Sequence, residues 1–312
     1  MGDVVFTLPA VQAVRENFPS ARITYLTSRE NSTLLKGFDG VDETVVLDRE
    51  RLRSGNPFST MSEFFKLLRR LRSGRFSLVV DFQNYGETAW LTRFTGAPRR
   101  WSSFDHPKRR WAYTYCLPDD APLHPADAHL ELLRHGGLSV GKIHNEFHLP
   151  PAALTAARAF FSEHKLDPEK PTLFIQAFTS APQKNWPLEN YLAVARHWRE
   201  HGLQIIFGGG PGDRAALSPA IAENFCVAAG APLLVSGGLV HLSTLVLGGD
   251  TGLLHLAVSL GKPVLMLMQQ SYTGCPIPFQ HPEWVITPPN TRNIGLIPVP
   301  VVIAEVSRRL EH

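Results

Sequence analysis

The chain has 312 residues, enough for two domains of ordinary size, and its 44% hydrophobic and 19% charged residues are the balance of a globular protein rather than a disordered one. No stretch approaches the roughly 18 uninterrupted apolar residues of a membrane span, and the apolar start carries Asp3 and Arg15 without the basic leader of a signal peptide. A net charge of +3 and three scattered cysteines, Cys116, Cys226 and Cys275, imply neither a disulfide framework nor a zinc ribbon, which fits a reducing cytoplasm.

Short apolar runs alternate with helical patterns, predicting an α/β architecture with parallel sheets. In the first half, strands are expected at 22–27, 44–47 and 78–82. Between them, 59–72 reads as a helix whose apolar stripe is Phe64, Phe65, Leu67, Leu68 and Leu71, and 124–135 reads as another. Pro150-Pro151 interrupts the pattern before a helix at 154–164, which places a domain boundary there, with domains at 1–150 and 151–298. The alternation restarts with a strand at 172–177, a helix at 187–201 and a strand at 204–207 running into Gly208-Gly209-Gly210-Pro211-Gly212. A strand at 245–247, a helix at 252–260 and a strand at 263–268 follow. The closing segment, 299–312, reads as a helix of the kind that packs back across two domains. The stretch from Gly237 to His241 is too short for a full helix before the next strand.

Charge is unevenly spread: residues 49–110 hold 14 Lys or Arg against 5 Asp or Glu. One reading is a solvated basic helix around Arg69, Arg70 and Arg72. The other is a surface for an anionic acceptor or an anionic membrane face. Nucleic acid is disfavoured, because no nucleic-acid motif accompanies the charge.

Four segments carry candidate chemistry. In Gly248-Gly249-Asp250-Thr251-Gly252, a strand ends in glycines and Asp250 and Thr251 stand where they can cap the next helix. The free N–H groups of such a helix suit a diphosphate, and His255 lies one turn in. A purely structural N-cap explains Asp250 and Thr251 alone. The second segment offers the Thr179 and Ser180 hydroxyls at the carboxyl end of a strand, then Lys184, whose ammonium suits phosphate oxygens and a leaving nucleotide. Third, Gly209 and Gly210 allow a ligand close to the backbone, but Asp213 stands where a dinucleotide fingerprint needs its last glycine. A plain strand-to-helix turn explains that segment equally well. Fourth, Gly2-Asp3-Val4 precedes a helix expected near Pro9.

Together these segments resemble glycosyltransferase family 9, the ADP-heptose:lipopolysaccharide heptosyltransferases. The family's Gly-Asp-Val followed by Thr-x-Pro-Ala is matched by Gly2 to Ala10, and its Lys-x-Trp-Pro by Lys184 to Pro187. Its Gly-Gly-Pro turn is matched by Gly209 to Pro211, and its Asp-Thr-Gly-x-x-His-Leu-Ala segment by Asp250 to Ala257. The resemblance implies a GT-B fold of two facing Rossmann-like domains, the donor on the C-terminal one and the acceptor on the N-terminal one. Asp3 would be the general base in an inverting, metal-independent transfer, with no cofactor. Thr179, Ser180, Lys184 and the helix opening at Thr251-Gly252 would hold the donor diphosphate, with Asp250 on sugar hydroxyls and Asp213 near the nucleoside. The implied partners are an ADP-linked sugar and an anionic glycolipid or glycan. The implied setting is the cytoplasm, with peripheral contact to the inner membrane left open.

Two departures stand out. Family members carry an apolar strand before Gly-Asp-Val, and this chain opens at Met1 without it, so the N-terminal sheet should lack its middle strand. Gln269-Gln270-Ser271-Tyr272-Thr273-Gly274 also replaces the family's Gly-x-Thr stretch. A GT-B transferase with another nucleotide sugar, or a silent relative that only binds one, therefore stays open. An oxidoreductase is disfavoured by the failed glycine fingerprint, and a hydrolase by the absence of Gly-x-Ser-x-Gly and His-Glu-x-x-His.

Overall fold

The computed structural model describes residues 1–48, 57–118 and 122–311. The chain divides into two compact units, Phe6–His144 and Asn145–His312, the second also holding Met1–Val5. Asp3, expected ahead of a helix, lies inside a one-turn helix, α1 (Gly2–Val5).

The Phe6–His144 unit contains α2 (Leu8–Asn17), β1 (Thr24–Ser28), β2 (Glu43–Leu47), α3 (Pro57–Ser73), β3 (Leu78–Asp81), α4 (Gly86–Thr95), β4 (Arg99–Ser102), β5 (Tyr115–Cys116) and α5 (Pro125–His135). Pro9 and Pro125 sit in the first turns of α2 and α5, where a missing N–H costs nothing. The strands form two separate parallel sheets, β1–β2 and β3–β4–β5, and no strand among the described residues joins them. β1 and β3 each have a ladder partner on one side only, and the apolar residues Leu26, Leu78, Val79 and Val80 stay half-buried. The unit holds together through shared side chains instead: Leu47, Leu71 and Leu91 are buried as one cluster, with Leu26, Leu67 and Phe76 packed against it.

The second unit runs through α6 (Pro151–Glu163), β6 (Thr172–Gln176), α7 (Leu188–Glu200), β7 (Gln204–Gly209), α8 (Ser218–Ala222), β8 (Cys226–Ala229), α9 (Leu233–Leu242), β9 (Leu245–Gly249), α10 (Gly252–Ser259), β10 (Val264–Leu267), β11 (Val285–Ile286) and α11 (Val299–Leu310). Its strands form one parallel six-stranded sheet in the order β11-β10-β9-β6-β7-β8. Every residue of β6, β9 and β10 is buried, which is why these strands read as continuous apolar runs rather than alternating ones. α7 and α11 cover one face, where Trp198, Val302 and Val306 join Ile175 and Leu247 in one core. α11 packs on α7, inside this unit.

One expectation fails here. The segment thought too short for a helix is the end of α9, which starts at Leu233, ahead of the stretch read. Gly237 and Gly238 hid it from a propensity reading, because glycine disfavours helix interiors by about 1 kcal/mol. Their role is close packing: a Cβ on Gly238 would lie 2.7 Å from the Ala157 Cβ and 2.9 Å from the Ala153 carbonyl oxygen, both on α6.

Candidate functional site

Strand order fixes where a site can form. β7 and β8 extend from β6 in one direction and β9 to β11 in the other, so connections reverse between β6 and β9. At such a reversal the loops leaving the carboxyl ends of the two strands diverge and open a crevice, the habitual ligand position of open α/β sheets. The segment after β6 carries Thr179, Ser180 and Lys184, and the segment after β9 carries Asp250, Thr251 and Gly252.

The two segments meet across that crevice. The Lys184 Nζ lies 2.8 Å from the Asp250 Oδ2, and the His255 Nε2 lies 3.2 Å from the Asp250 Oδ1. Asp250 and His255 are 15% and 4% exposed at the side chain while Lys184 is 43% exposed, so the ammonium is the member that meets solvent. Burial pushes the Asp250 carboxyl up, but hydrogen bonds from His255 and Lys184 and their fields outweigh it and hold the group below the usual carboxylate range. Asp250 is thus an ionised anchor for Lys184. It does not cap α10, as the sequence alone suggested it could. Thr251 does, its Oγ1 accepting from the Leu254 N–H at 3.5 Å.

The loop after β6 is stiff for local reasons. The Thr179 N–H donates to the Asn185 Oδ1 at 2.8 Å, and the Thr179 hydroxyl donates to the Ala181 carbonyl at 2.8 Å. Pro182–Lys184 forms a single 3-10 turn, and the Gln269 amide donates to the Gln183 carbonyl at 2.7 Å. Trp186, 1% exposed, anchors the exit of the loop by donating from Nε1 to the Ile297 carbonyl at 3.1 Å. Close approach explains two glycines: a Cβ at Gly248 would lie 2.6 Å from the Gln176 carbonyl oxygen, and one at Gly249 would lie 2.7 Å from the Thr179 Cγ2. Ser180 is exposed beside this loop.

α1 packs against α10. A Cβ on Gly252 would come within 2.7 Å of the Met1 Cβ and 2.8 Å of the Gly2 nitrogen, so the first turn of α10 lies directly against the backbone that carries Asp3. Residues about 250 positions apart in sequence are thereby neighbours at one helix N-terminus. Gly209 and Gly210 leave the carboxyl end of β7, next to β6, so they share this edge of the sheet. There Asp213 turns inward: its Oδ2 accepts from the Gly210 N–H at 2.7 Å and closes the turn. Among the described residues, no three His, Cys, Asp or Glu side chains converge as a metal-ligating group.

The profile of glycosyltransferase family 9 (heptosyltransferase) matches residues 64–280, more than half of the chain. The chain belongs to glycosyltransferase family 9. It is thus a glycosyltransferase, and its two α/β units with parallel sheets are those of the GT-B heptosyltransferases. It is similar to lipopolysaccharide heptosyltransferase 3 of Escherichia coli, 20% identical over 278 residues that cover 85% of this chain and 80% of the relative. Its fold is similar to that of the family 9 glycosyl transferase of Veillonella parvula, with a TM-score of 0.88, 22% identity and coverage of 100% and 95% of the two chains. It is also similar to that of E. coli heptosyltransferase WaaC with ADP, with a TM-score of 0.81, 19% identity and coverage of 99% and 97%.

In this family 9 chain the basic residues 69, 70 and 72 belong to the Phe6–His144 unit, and they do not all face one surface. Arg70 turns to Glu43 of β2 at 2.5 Å, whereas Arg72 donates to the Thr95 carbonyl at the end of α4 at 3.3 Å. Arg69 and Arg72 line a shallow hollow of about 470 Å³ between α3 and α4. Sequence reading also missed a buried polar cluster at the carboxyl ends of β3 and β4. The Asp81 carboxylate accepts from the Gln83 and Asn84 N–H groups at 2.9 and 3.0 Å and from the Tyr113 hydroxyl at 2.6 Å. Burial and that carboxylate push the Tyr113 phenol far above its ordinary range. Nearby, His129 is buried against Phe82 and Phe104 and bonded to the Ser103 hydroxyl at 2.9 Å.

Proposed function

We propose that the chain transfers a heptose, with inversion and without a metal, from ADP-heptose to a lipopolysaccharide-core or related glycan acceptor. The carrying observation is the convergence of Lys184, Asp250 and the N-terminus of α10 with α1 at the reversal point of the sheet. The acceptor hydroxyl gives its proton to the Asp3 carboxylate as its oxygen attacks the anomeric carbon. The bond from that carbon to the diphosphate oxygen breaks, the configuration inverts, and ADP leaves with the electron pair. Charge building on the leaving diphosphate is met by the Lys184 ammonium, aimed by Asp250, and by the free N–H groups opening α10. Ser180, exposed on the same loop, supplies a hydroxyl beside these oxygens, while the Thr179 hydroxyl donates to the Ala181 carbonyl and holds the loop in shape. Asp213, holding the Gly210 turn, shapes the edge that faces the nucleoside. Support for the donor comes from the names of relatives: E. coli WaaC was solved with ADP and with a fluorinated ADP-heptose.

Calorimetric titration of ADP, UDP and GDP tests the reading, on wild type and Lys184→Ala, with and without EDTA. ADP should bind in preference to the others, EDTA should change nothing, and Lys184→Ala should weaken binding about tenfold or more, the loss of a charge-assisted contact worth about 1.5–3 kcal/mol. Preference for UDP or GDP would replace the donor. Binding that EDTA abolishes would overturn the metal-free mechanism.

A further inference from the structure

The surface running from α3 across α4 to the 3-10 turn Pro107–Ala112 combines exposed aromatic rings with cationic flanks in a way a solvated face does not need. Phe65, Trp90, Phe94 and Trp111 are 61%, 54%, 45% and 45% exposed. They form a connected group on one side, with Trp90 stacked on Phe94 at 5.8 Å and tilted against Trp111 at 4.4 Å between ring centroids. Single exposed apolar side chains are ordinary, but a contiguous aromatic cluster marks a surface that something covers. Arg69, Arg72 and Arg93 border the same group and, with Phe65 and Phe94, line the hollow between α3 and α4. Glu87 is the acid of α4, and Asp105, the acid beside the 3-10 turn, is matched by Arg110 in a two-pronged ion pair.

We propose that this face docks on an anionic phospholipid bilayer. Indole and phenyl rings settle at the level of the headgroups, where one side is apolar and the other wet, and guanidinium groups around them meet lipid phosphates. Charge decides between occupants. A second copy brought face to face would set Arg69, Arg72 and Arg93 against their own counterparts, which repel. A bilayer with anionic lipids supplies the opposite sign over a broad flat area, and each cation near it adds about 1 kcal/mol of attraction. The lining of the hollow has the same mixed character, with Leu68 and two phenyl rings alongside three guanidinium groups. The proposal does not rest on the transferase reading, because it concerns the Phe6–His144 unit alone and requires no nucleotide.

Sedimentation of the full chain with phosphatidylcholine vesicles and with phosphatidylcholine–phosphatidylglycerol vesicles, at low and high salt, tests it. Partitioning into the anionic vesicles should exceed that into the neutral ones by about tenfold or more and fall with salt. Trp90→Ser/Phe94→Ser and Arg69→Ser/Arg93→Ser should each lower it about tenfold, while circular dichroism and the nucleotide affinity of Trp90→Ser/Phe94→Ser stay as in wild type. Bromine-labelled lipid should quench wild-type tryptophan emission and quench Trp90→Phe/Trp111→Phe far less. Equal partitioning into both vesicles, none into either, or variants that bind as wild type would overturn the proposal. So would an acidic protein or a dimer that occupies the face, the dimer detected as a wild-type mass that Trp90→Ser/Phe94→Ser halves.

Discussion

Gly252 carries two demands at once. It opens α10, whose N–H groups must stay free, and it lies against Met1 and Gly2 with no room for a side-chain carbon. Helix propensity favours alanine over glycine by about 1 kcal/mol, so in isolation Gly252→Ala would stabilise α10. The contact reverses that outcome. The Met1 Cε can swing aside, but the Gly2 nitrogen, 2.8 Å from the added carbon, is backbone and must move with the whole of α1. Asp3 moves with it. Gly252→Ala should therefore lower kcat about tenfold to a hundredfold, the scale of a misplaced reacting group, while nucleotide affinity changes less than about threefold. Steady-state kinetics beside calorimetry separates the two. An unchanged kcat would detach α1 from the chemistry. A matching loss of affinity would show that the added methyl displaces the opening of α10 rather than α1 and Asp3.

At the scale of elements, α9 against α6 is where local preference and packing disagree most openly. Gly237 and Gly238 are adjacent in one helix, yet they face different neighbours. A Cβ on Gly237 would meet the ends of flexible side chains, Leu149 and Leu256, at 3.2 and 3.3 Å. One on Gly238 would meet the Ala153 carbonyl oxygen of α6. Gly237→Ala should be neutral or stabilising by up to about 1 kcal/mol. Gly238→Ala should destabilise by about 1–3 kcal/mol, because backbone yields less than a side-chain tip. Urea unfolding of the pair checks this, and equal effects would contradict it. The same contrast explains what the sequence could and could not reveal. β6, β9 and β10 were legible because burial on both faces writes an unbroken apolar run. α9 was not, since the property that makes it fit, the absence of side chains, reads as turn. α4 and β4 escaped because their apolar residues sit among arginines and exposed rings, and β5 because it is only two residues long. In the site, Lys184, Asp250 and His255 could be named from their motifs, but their ion pair depends on strand order, which no local pattern encodes. Asp213 was named for the nucleoside, and its bond to the Gly210 N–H is a turn closure that spacing alone does not distinguish.

At the scale of the molecule, the two units should differ in stability. In the Asn145–His312 unit, the inner strand β6 has ladder partners on both sides and is wholly buried. In the Phe6–His144 unit, β1 and β3 have partners on one side only, and half-buried apolar residues contribute less than fully buried ones at about 25 cal/mol per Å². Scanning calorimetry should thus show two transitions, the lower from Phe6–His144. Nucleotide at about a hundred times its Kd adds about 2.7 kcal/mol to the unit that binds it, so it should raise the upper transition by roughly 5–10 °C and the lower one less. Acid should act on the other transition. Burial, helped by His124, lowers the pKa of His129 from its ordinary value of 6.5 to about 3, so this ring stays neutral in the fold. The unfolded chain takes up the proton that the folded one refuses. The stabilisation is complete above pH 6.5 and is lost as pH falls towards 3, at up to about 1.4 kcal/mol per pH unit. The lower transition should fall steadily over that range in wild type and lose that slope in His129→Gln, even if the variant starts from a lower temperature. A slope that survives His129→Gln would assign the acid sensitivity elsewhere, and a single transition that moves with both nucleotide and acid would show that the units unfold together.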